Sequence, residues 1–208
     1  MEKVVKADYE DEKCIAGESL VLIGVPGDGF LKTAFKDDKD SLIKIFNNSF
    51  IDSAEKKICC DLSFVSDGEM KGDSTLLSII PKKEGEIVDY FYELDRQSLY
   101  SGLWKVATKY KSGLKVFLKK IPVSMEIIEI CEHYDVNPYL CECKSAALVL
   151  TPAPLYLVDL LKEKGINAGI IGYLNNGNDR VVVNGEQVRF LTPREEVISF
   201  ASFASFAL

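Results

Sequence analysis

The sequence is poor in the residues from which metal and acid–base sites are usually built. It has a single histidine, His133, in 208 residues. No CxxC pair recurs at zinc-ligand spacing, so no structural zinc site is expected. A Ser–His or Cys–His nucleophile would have to use His133. That residue falls late in a predicted helix, where a histidine is favourable without any chemical role. No apolar run reaches the roughly 18–20 residues that span a bilayer. The first residues, MEKVVKADYEDEKC, have neither the apolar segment nor the cleavage pattern of a signal peptide, and a cytoplasmic location is the expectation. Basic charge is in deficit, with 25 Lys and Arg against 32 Asp and Glu and a net charge of −7. Such a chain has no field to draw in nucleic acid or an anionic membrane. Neither GxGxxG nor the Walker lysine loop occurs. The glycine-rich Gly24-Val25-Pro26-Gly27-Asp28-Gly29 has neither spacing and reads as a plain turn.

What is present is an ordinary globular composition, 47% hydrophobic and 27% charged, long enough to bury a substantial core. There is no internal repeat and no low-complexity linker, so residues 1–208 read as one domain, with a phenylalanine-rich tail over 194–208. The six cysteines, Cys14, Cys59, Cys60, Cys131, Cys141 and Cys143, are expected as thiols in a reducing cytosol. Ser19–Val25 reads as a buried strand. Asp37 to Cys60 reads as one helix with Leu42, Ile43, Phe46, Phe50, Ala54 and Ile58 on its apolar face, capped by Asp40 or Ser41. Thr75–Ile80 and Ile87–Leu94 follow as short extended elements.

A helix is predicted over 96–111, buried through Leu99, Leu103, Val106, Ala107 and Tyr110 and stopped at Gly113. Lys115–Leu118 is a strand. Pro122 and Ser124 open a helix with Ile127, Ile128, Cys131 and Tyr134 inward, ended by Asn137-Pro138. Ala146–Leu150 is a strand, and Pro152 and Pro154 start a helix through Lys164 with Leu155, Val158 and Leu161 inward and Gly165 as its stop. Ala168–Tyr173 is the next strand. Arg180–Val183 and Gln187–Leu191 flank Asn184-Gly185, a hairpin signal. The order predicts an α+β fold with helices layered on a mixed β-sheet. In the tail, Phe200, Phe203 and Phe206 repeat every third residue. This stripe is expected to pack on the chain's own sheet, to lie in a homo-oligomer interface, or to dock a partner; with Arg194 the only nearby base, a membrane-surface helix is the weakest option.

Three segments carry a family resemblance: Gly102-Leu103-Trp104 leading to Lys120-Ile121-Pro122-Val123; Ile130-Cys131-Glu132 through Asn137-Pro138-Tyr139; and Ile171-Gly172 through Asn178-Asp179-Arg180 to Asn184-Gly185-Glu186. In this order they resemble the C-terminal domain of the AIR synthase-related superfamily, which includes the hydrogenase expression/formation (maturation) factors. The likeness covers most of 75–193 and, more weakly, Val21 through the first long helix. It implies the AIR synthase C-terminal fold, and a complete member would add an N-terminal half holding ATP and metal.

The same resemblance marks departures. The family's glycine turn, D-V-T-E-G-G in type, falls on Glu93-Leu94-Asp95-Arg96-Gln97-Ser98, where Gln97 and Ser98 replace the glycines that let backbone N–H groups reach a phosphate. A Ser-Ser-Gly signature falls on Cys143-Lys144-Ser145. The maturation factors' terminal cysteine is replaced by Phe206-Ala207-Leu208.

The resemblance therefore implies a degenerate, stand-alone domain, a pseudoenzyme, acting by association or small-ligand binding. No cofactor is expected of it. ATP and Mg²⁺ belong only to the alternative, the C-terminal half of a split ATP-dependent enzyme. Its partners are expected to be a second copy of itself or a separate nucleotide-binding half. Glu93, Arg96, Ser98, Cys143, Lys144 and Ser145 form a candidate remnant anion site, with Arg96 and Lys144 as its cations, and salt bridging of those cations to Glu93 or Glu142 is the plainer alternative. Phe200, Phe203 and Phe206 are the candidate partner-binding residues. Cys141 and Cys143 next to Lys144 are either reactive thiols or small buried groups on one strand face.

Overall fold

The computed structural model describes residues 17–58, 88–193 and 197–206, with Ser205 and Phe206 described by backbone alone. Among them are seven α-helices and one seven-stranded mixed sheet. The strands are β1 (Ser19–Ile23), β2 (Tyr90–Glu93), β3 (Gly113–Phe117), β4 (Ala147–Thr151), β5 (Ala168–Asn175), β6 (Arg180–Asn184) and β7 (Gln187–Phe190), in the spatial order β2-β4-β1-β5-β3-β6-β7. The α+β expectation holds. Every neighbouring pair is antiparallel except β3 with β6. Because β4 and β5 both run antiparallel to β1, they are parallel to each other with β1 between them, which accounts for the helix that connects them.

Strand β1 shows how the sheet divides its core. Side chains alternate across a strand. Leu20 and Leu22 enter one buried cluster and Val21 and Ile23 another, all four fully buried. The first face is covered by the helix Leu99–Lys109 through Leu99, Leu103, Val106 and Ala107. The second is covered by the helix Pro154–Glu163 through Leu157, Val158 and Leu161. Each such side chain contributes about 2 kcal/mol of burial. Leu155, expected inward, is 71% exposed, and Leu157 takes its place. Val158 and Leu161 are buried as expected, so the helix keeps the phase the sequence suggested, with Leu155 at its second position turned to solvent.

The remaining helices form a separate cluster: α1 (Asp28–Asp37), α2 (Lys39–Ile45), α3 (Asn48–Ile58), α5 (Met125–His133) and the tail helix α7 (Phe200–Phe206), with Leu99–Lys109 and Pro154–Glu163 taken as α4 and α6. The single helix expected over 37–60 is broken. Asp38 leaves helical geometry between α1 and α2, Phe46 turns extended, and the Asn47 side chain accepts the Phe50 N–H at 2.8 Å. Asparagine offers the backbone this local alternative to a helix. Ile43 is consequently at the surface, while Ile51 is buried. In α5 Ile127 and Cys131 are buried as expected, joined by Ile130, while Ile128 is exposed.

Three helices stop by one device, a left-handed residue followed by an N–H that reaches back five residues. Ser112 N–H bonds to Ala107 O past Lys111 (φ 48°), Val136 N–H to Cys131 O past Asp135 (φ 53°), and Ile166 N–H to Leu161 O past Gly165 (φ 73°). Only the third uses glycine. Gly113, expected as a stop, opens β3, where a Cβ would meet the Asn175 side chain at 2.5 Å. The β6–β7 hairpin is present, with Gly185 and Glu186 as its two loop residues. The elements read at 61–86 lie outside the described residues. No described helix is long and apolar enough to cross a membrane.

Candidate functional site

The segment Pro26–Gly29, read as a plain turn, is the start of a helix and the centre of the site. Gly27 sits in the left-handed region (φ 77°) directly before α1. Glycine is needed here because the chain passes close to the loop 141–145: a Cβ on Gly24 would lie 2.3 Å from the Ser145 carbonyl oxygen, and one on Gly29 would lie 3.0 Å from that of Glu142. Asp28, 2% exposed, sends its carboxylate under the loop. Its Oδ1 accepts the Lys144 N–H at 2.8 Å and its Oδ2 the Ser145 N–H at 3.0 Å. Lys32, one turn further along α1, places its Nζ 3.3 Å from Asp28 Oδ2 and donates to Ser145 Oγ at 2.9 Å. Burial pushes the Asp28 carboxyl above its ordinary range, and the Lys144 N–H and the Lys32 charge offset part of that rise.

The loop 93–98 closes on the same segment from the other side. Leu94 N–H bonds to Ala146 O, Arg96 N–H to Cys143 O, and Cys143 N–H to Gln97 O, all between 2.8 and 2.9 Å. The two altered signature loops therefore meet, backbone to backbone. Arg96 reaches this geometry with φ 53°. Gln97 accepts a hydrogen bond from the Tyr92 hydroxyl at 2.8 Å. Ser98 is buried and caps α4, its Oγ accepting the Ser101 N–H. The tail supplies a third side, because Glu142 N–H bonds to Ile198 O and Ile198 N–H to Leu140 O.

What remains open is a shallow depression of about 400 Å³ lined by Arg96, Glu142, Lys144, Val197 and Ser199. Of the six residues named for an anion site, Arg96 and Lys144 line it. Ser98, Cys143 and Ser145 lie buried beneath it in structural roles, and Glu93 ends β2 outside the lining, its carboxyl raised by burial and by Asp95. Glu142, expected as a salt-bridge partner of these cations, shares the lining with them, and the tail segment was not foreseen. Glu142 brings an acid beside the two cations, which weakens the site's preference for an anion. The main omission is Asp28. The signal was an acid between two glycines at the end of a buried strand.

Cys141 and Cys143 are fully buried, as is Cys131. Burial pushes the Cys143 thiol far up, the Asp28 carboxylate raises it further, and the Gly27 N–H, 3.4 Å from Sγ, only partly compensates. The lysine next in sequence points to the surface instead. A thiol held protonated is a poor nucleophile. Site-resolved mass spectrometry with iodoacetamide at pH 8 is expected to show Cys143 alkylated at least ~100-fold more slowly than a free peptide thiol, and at the ordinary rate in urea. A native rate equal to that of the peptide would restore the reactive reading.

Phe200 is 7% exposed and packs edge-on against Phe30 at 5.4 Å and Tyr134 at 5.5 Å, and Phe203 joins the same group. The stripe thus lies on α1 and α5 and not on the sheet, and Phe200 offers no free face to a partner. The Phe206 side chain lies outside the described residues. His133 is exposed, with its ring edge-on to Phe46 and tilted against Tyr134. Among the described residues no cluster of His, Cys, Asp and Glu could hold a metal ion.

This arrangement, a mixed sheet with α4 on one face and signature loops at 93–98 and 141–145, is the AIR synthase-related fold in its C-terminal half. Solved structures of that fold superpose on the chain. E. coli HypE matches with a TM-score of 0.61 at 15% identity, over 87% of this chain and 51% of that one. The HypE-HypF complex matches with a TM-score of 0.58 at 15% identity, over 86% and 54%. The thiamine-monophosphate kinase of Stenotrophomonas maltophilia K279a matches at 0.53 and 13% identity, over 85% and 52%. The chain spans about half the length of the proteins it matches. No protein-family model matches the sequence, and no curated protein does.

Proposed function

We propose that this chain is a catalytically degenerate form of the AIR synthase-related C-terminal domain, acting by association with itself or another protein and not by ATP chemistry of its own. The observation that carries the reading is the closure of the former phosphate turn. Gln97 and Ser98 stand where the family has glycines. Their side chains are engaged by Tyr92 and by the cap of α4, and the turn's backbone is hydrogen-bonded to residues 143–146. The N–H groups of Leu94, Arg96 and Gln97 are committed to Ala146 O, Cys143 O and Leu94 O and are not available to a phosphate. Isothermal titration with ATP and Mg²⁺ tests it. The expected result is no binding tighter than ~1 mM, and a dissociation constant below ~10 µM for the chain alone would overturn the reading.

A second reading is favoured by the coverage, since the superposed proteins are about twice as long. In it the chain is one half of a split enzyme, and Arg96 and Lys144 close over ATP held by a separate nucleotide-binding chain. ATP affinity would then emerge in the same titration only once such a partner is added.

A further inference from the structure

The bases of this acidic chain are unevenly placed. Residues 96–125 hold seven of its 25 Lys and Arg and none of its 32 Asp and Glu. The fold divides them between the two sides of the sheet. Leu114 and Val116 of β3 face α4, so Lys115 points to the opposite side, where its Nζ and that of Lys120 lie over the Phe117 ring. Lys105 and Lys109 stand one turn apart on the exposed side of α4. Arg180 and Arg189 join them from β6 and β7. Arg180 shares the parity of Val182, which is buried under α4, and Arg189 is the register partner of Val182.

Rings, and not acids, hold these cations in place. The Arg180 guanidinium carbon lies 4.1 Å from the centre of the Trp104 ring, and the group donates to Thr108 Oγ1 at 2.8 Å. Lys109 Nζ lies 4.4 Å from the centre of the Tyr90 ring. None of Lys105, Lys109, Arg180 and Arg189 forms an ion pair with a described residue. The acid at the margin is Asp179, which with Trp104, Arg180 and Phe190 lines a depression of about 320 Å³. A ring orients a cation without neutralising it. A guanidinium stacked on a ring keeps its N–H edge for a planar carboxylate, and Arg180 has donors beyond the one given to Thr108. Half-buried Tyr92, Tyr100 and Tyr139 complete the surround. Tyrosine, tryptophan and arginine are the residues enriched where proteins bind one another.

We propose that the outer side of α4 docks an acidic segment of another protein, whose carboxylates meet Arg180, Lys109, Lys105 and Arg189. Charge complementarity sets the chemistry of the partner. A second copy meeting this face about a two-fold axis would set the same bases against each other. The rings argue against nucleic acid, because base stacking needs an open aromatic face. Here Arg180 covers Trp104, Lys109 covers Tyr90, and Tyr100 and Tyr139 stack on each other at 5.6 Å. The net charge of −7 also repels a dense polyanion at long range. A peptide with a few spaced carboxylates meets the local bases within the screening length of about 8–10 Å.

The inference rests on the association reading of the function and names its surface and the chemistry of the partner. Trp104 is the only tryptophan of the chain, so its emission reports on this face directly. The probe is a short acetylated peptide of alternating Glu and Ala, titrated into the full chain at low salt. Trp104 emission should change saturably, with a dissociation constant on the order of 100 µM, and the change should disappear at about 0.5 M NaCl. Lys105→Glu combined with Lys109→Glu should weaken binding at least about tenfold. Lys115→Glu combined with Lys120→Glu makes the same change of charge on the other side of the sheet and should leave binding within about twofold. Circular dichroism checks that both double variants are folded. No saturable change in the wild type, or equal weakening by the two double variants, overturns the proposal. An oligo-dT of the same charge that binds as tightly as the peptide overturns it in favour of a nucleic-acid face. Any of these results with ATP still unbound leaves the association reading standing, whereas tight ATP binding overturns that reading whatever the peptide does.

Discussion

Gly24→Ala is expected to lower stability by at least about 4 kcal/mol, among the larger effects a single substitution produces. Two separate costs add. Gly24 has φ 83°, where an L-residue is strained by about 1–2 kcal/mol. The new Cβ would also sit 2.3 Å from Ser145 O, 3.0 Å from Ala146 Cα and 3.2 Å from Ser145 C. All three are backbone atoms held in place by Asp28 and by the Leu94–Ala146 hydrogen bond, so no side chain can swing away to make room. For a chain of this size each kcal/mol lowers the melting temperature by about 2–4 °C, so thermal unfolding followed by circular dichroism should show a fall of about 10 °C or more. Gly165→Ala is the control. Gly165 has a similar φ of 73° but nothing within 4 Å of its added Cβ, and only the conformational cost of about 1 kcal/mol remains. Equal effects at the two positions would show that the contact with loop 141–145 is not what fixes Gly24.

The same contact explains what the sequence could and could not convey. Elements whose apolar period is local were legible: β1, α4, α6 and the β6–β7 hairpin fall within a few residues of where Leu20–Ile23, Leu99–Ala107, Pro154 and Asn184-Gly185 place them. The helix α1 was missed, although Phe30, Leu31, Ala34 and Phe35 give it a buried stripe. Its first turn is flanked by Gly27 and Gly29, which local chemistry reads as a turn. They are glycines because another backbone approaches them, and that backbone is more than a hundred residues away. The hydrogen bonds from Lys144 and Ser145 to Asp28 span 116 and 117 positions. No periodicity within α1 encodes them. Likewise, the stop at Gly165 was legible because glycine marks it, whereas Lys111 and Asp135 take the same left-handed role with ordinary side chains.

The candidate site divides in the same way. The substitutions in the two signature loops were readable from the resemblance, and so was the meeting of Arg96 with Lys144. Glu142 was legible only as a salt-bridge partner, because its place in the depression depends on the tail crossing the loop, through the bonds between residues 140–142 and Ile198. The phenylalanine stripe gave a helix that packs on the domain, but on α1 and α5 and not on the sheet. Spacing fixes which residues share a face, but the packing surface is set by where α1 and α5 leave room for an aromatic ring.

That packing makes Phe200→Ala the second large effect. Phe200 meets the rings of Phe30 at 5.4 Å, Tyr134 at 5.5 Å and Phe203 at 6.2 Å. Removing a buried phenylalanine costs about 3–5 kcal/mol, including the loss of edge-on ring contacts. The helix α7 has only seven residues and is too short to persist without its tertiary anchor. Its loss would also free the Cys141–Ile198 bridge and uncover a thiol that is now fully buried. The expected outcome is a melting temperature lower by about 10 °C, with iodoacetamide labelling at Cys141 rising well above that of the wild type. Had the stripe served only to hold a partner, the isolated variant would melt where the wild type does, with Cys141 still protected. Because Val197 and Ser199 line the depression beside Arg96 and Lys144, the tail is one wall of the site as well as part of the core. A variant that loosens α7 while the sheet stays folded would therefore open the depression between loops 93–98 and 141–145, and its ATP titration compared with wild type would separate a turn that is closed by its own backbone from one that is closed by the tail.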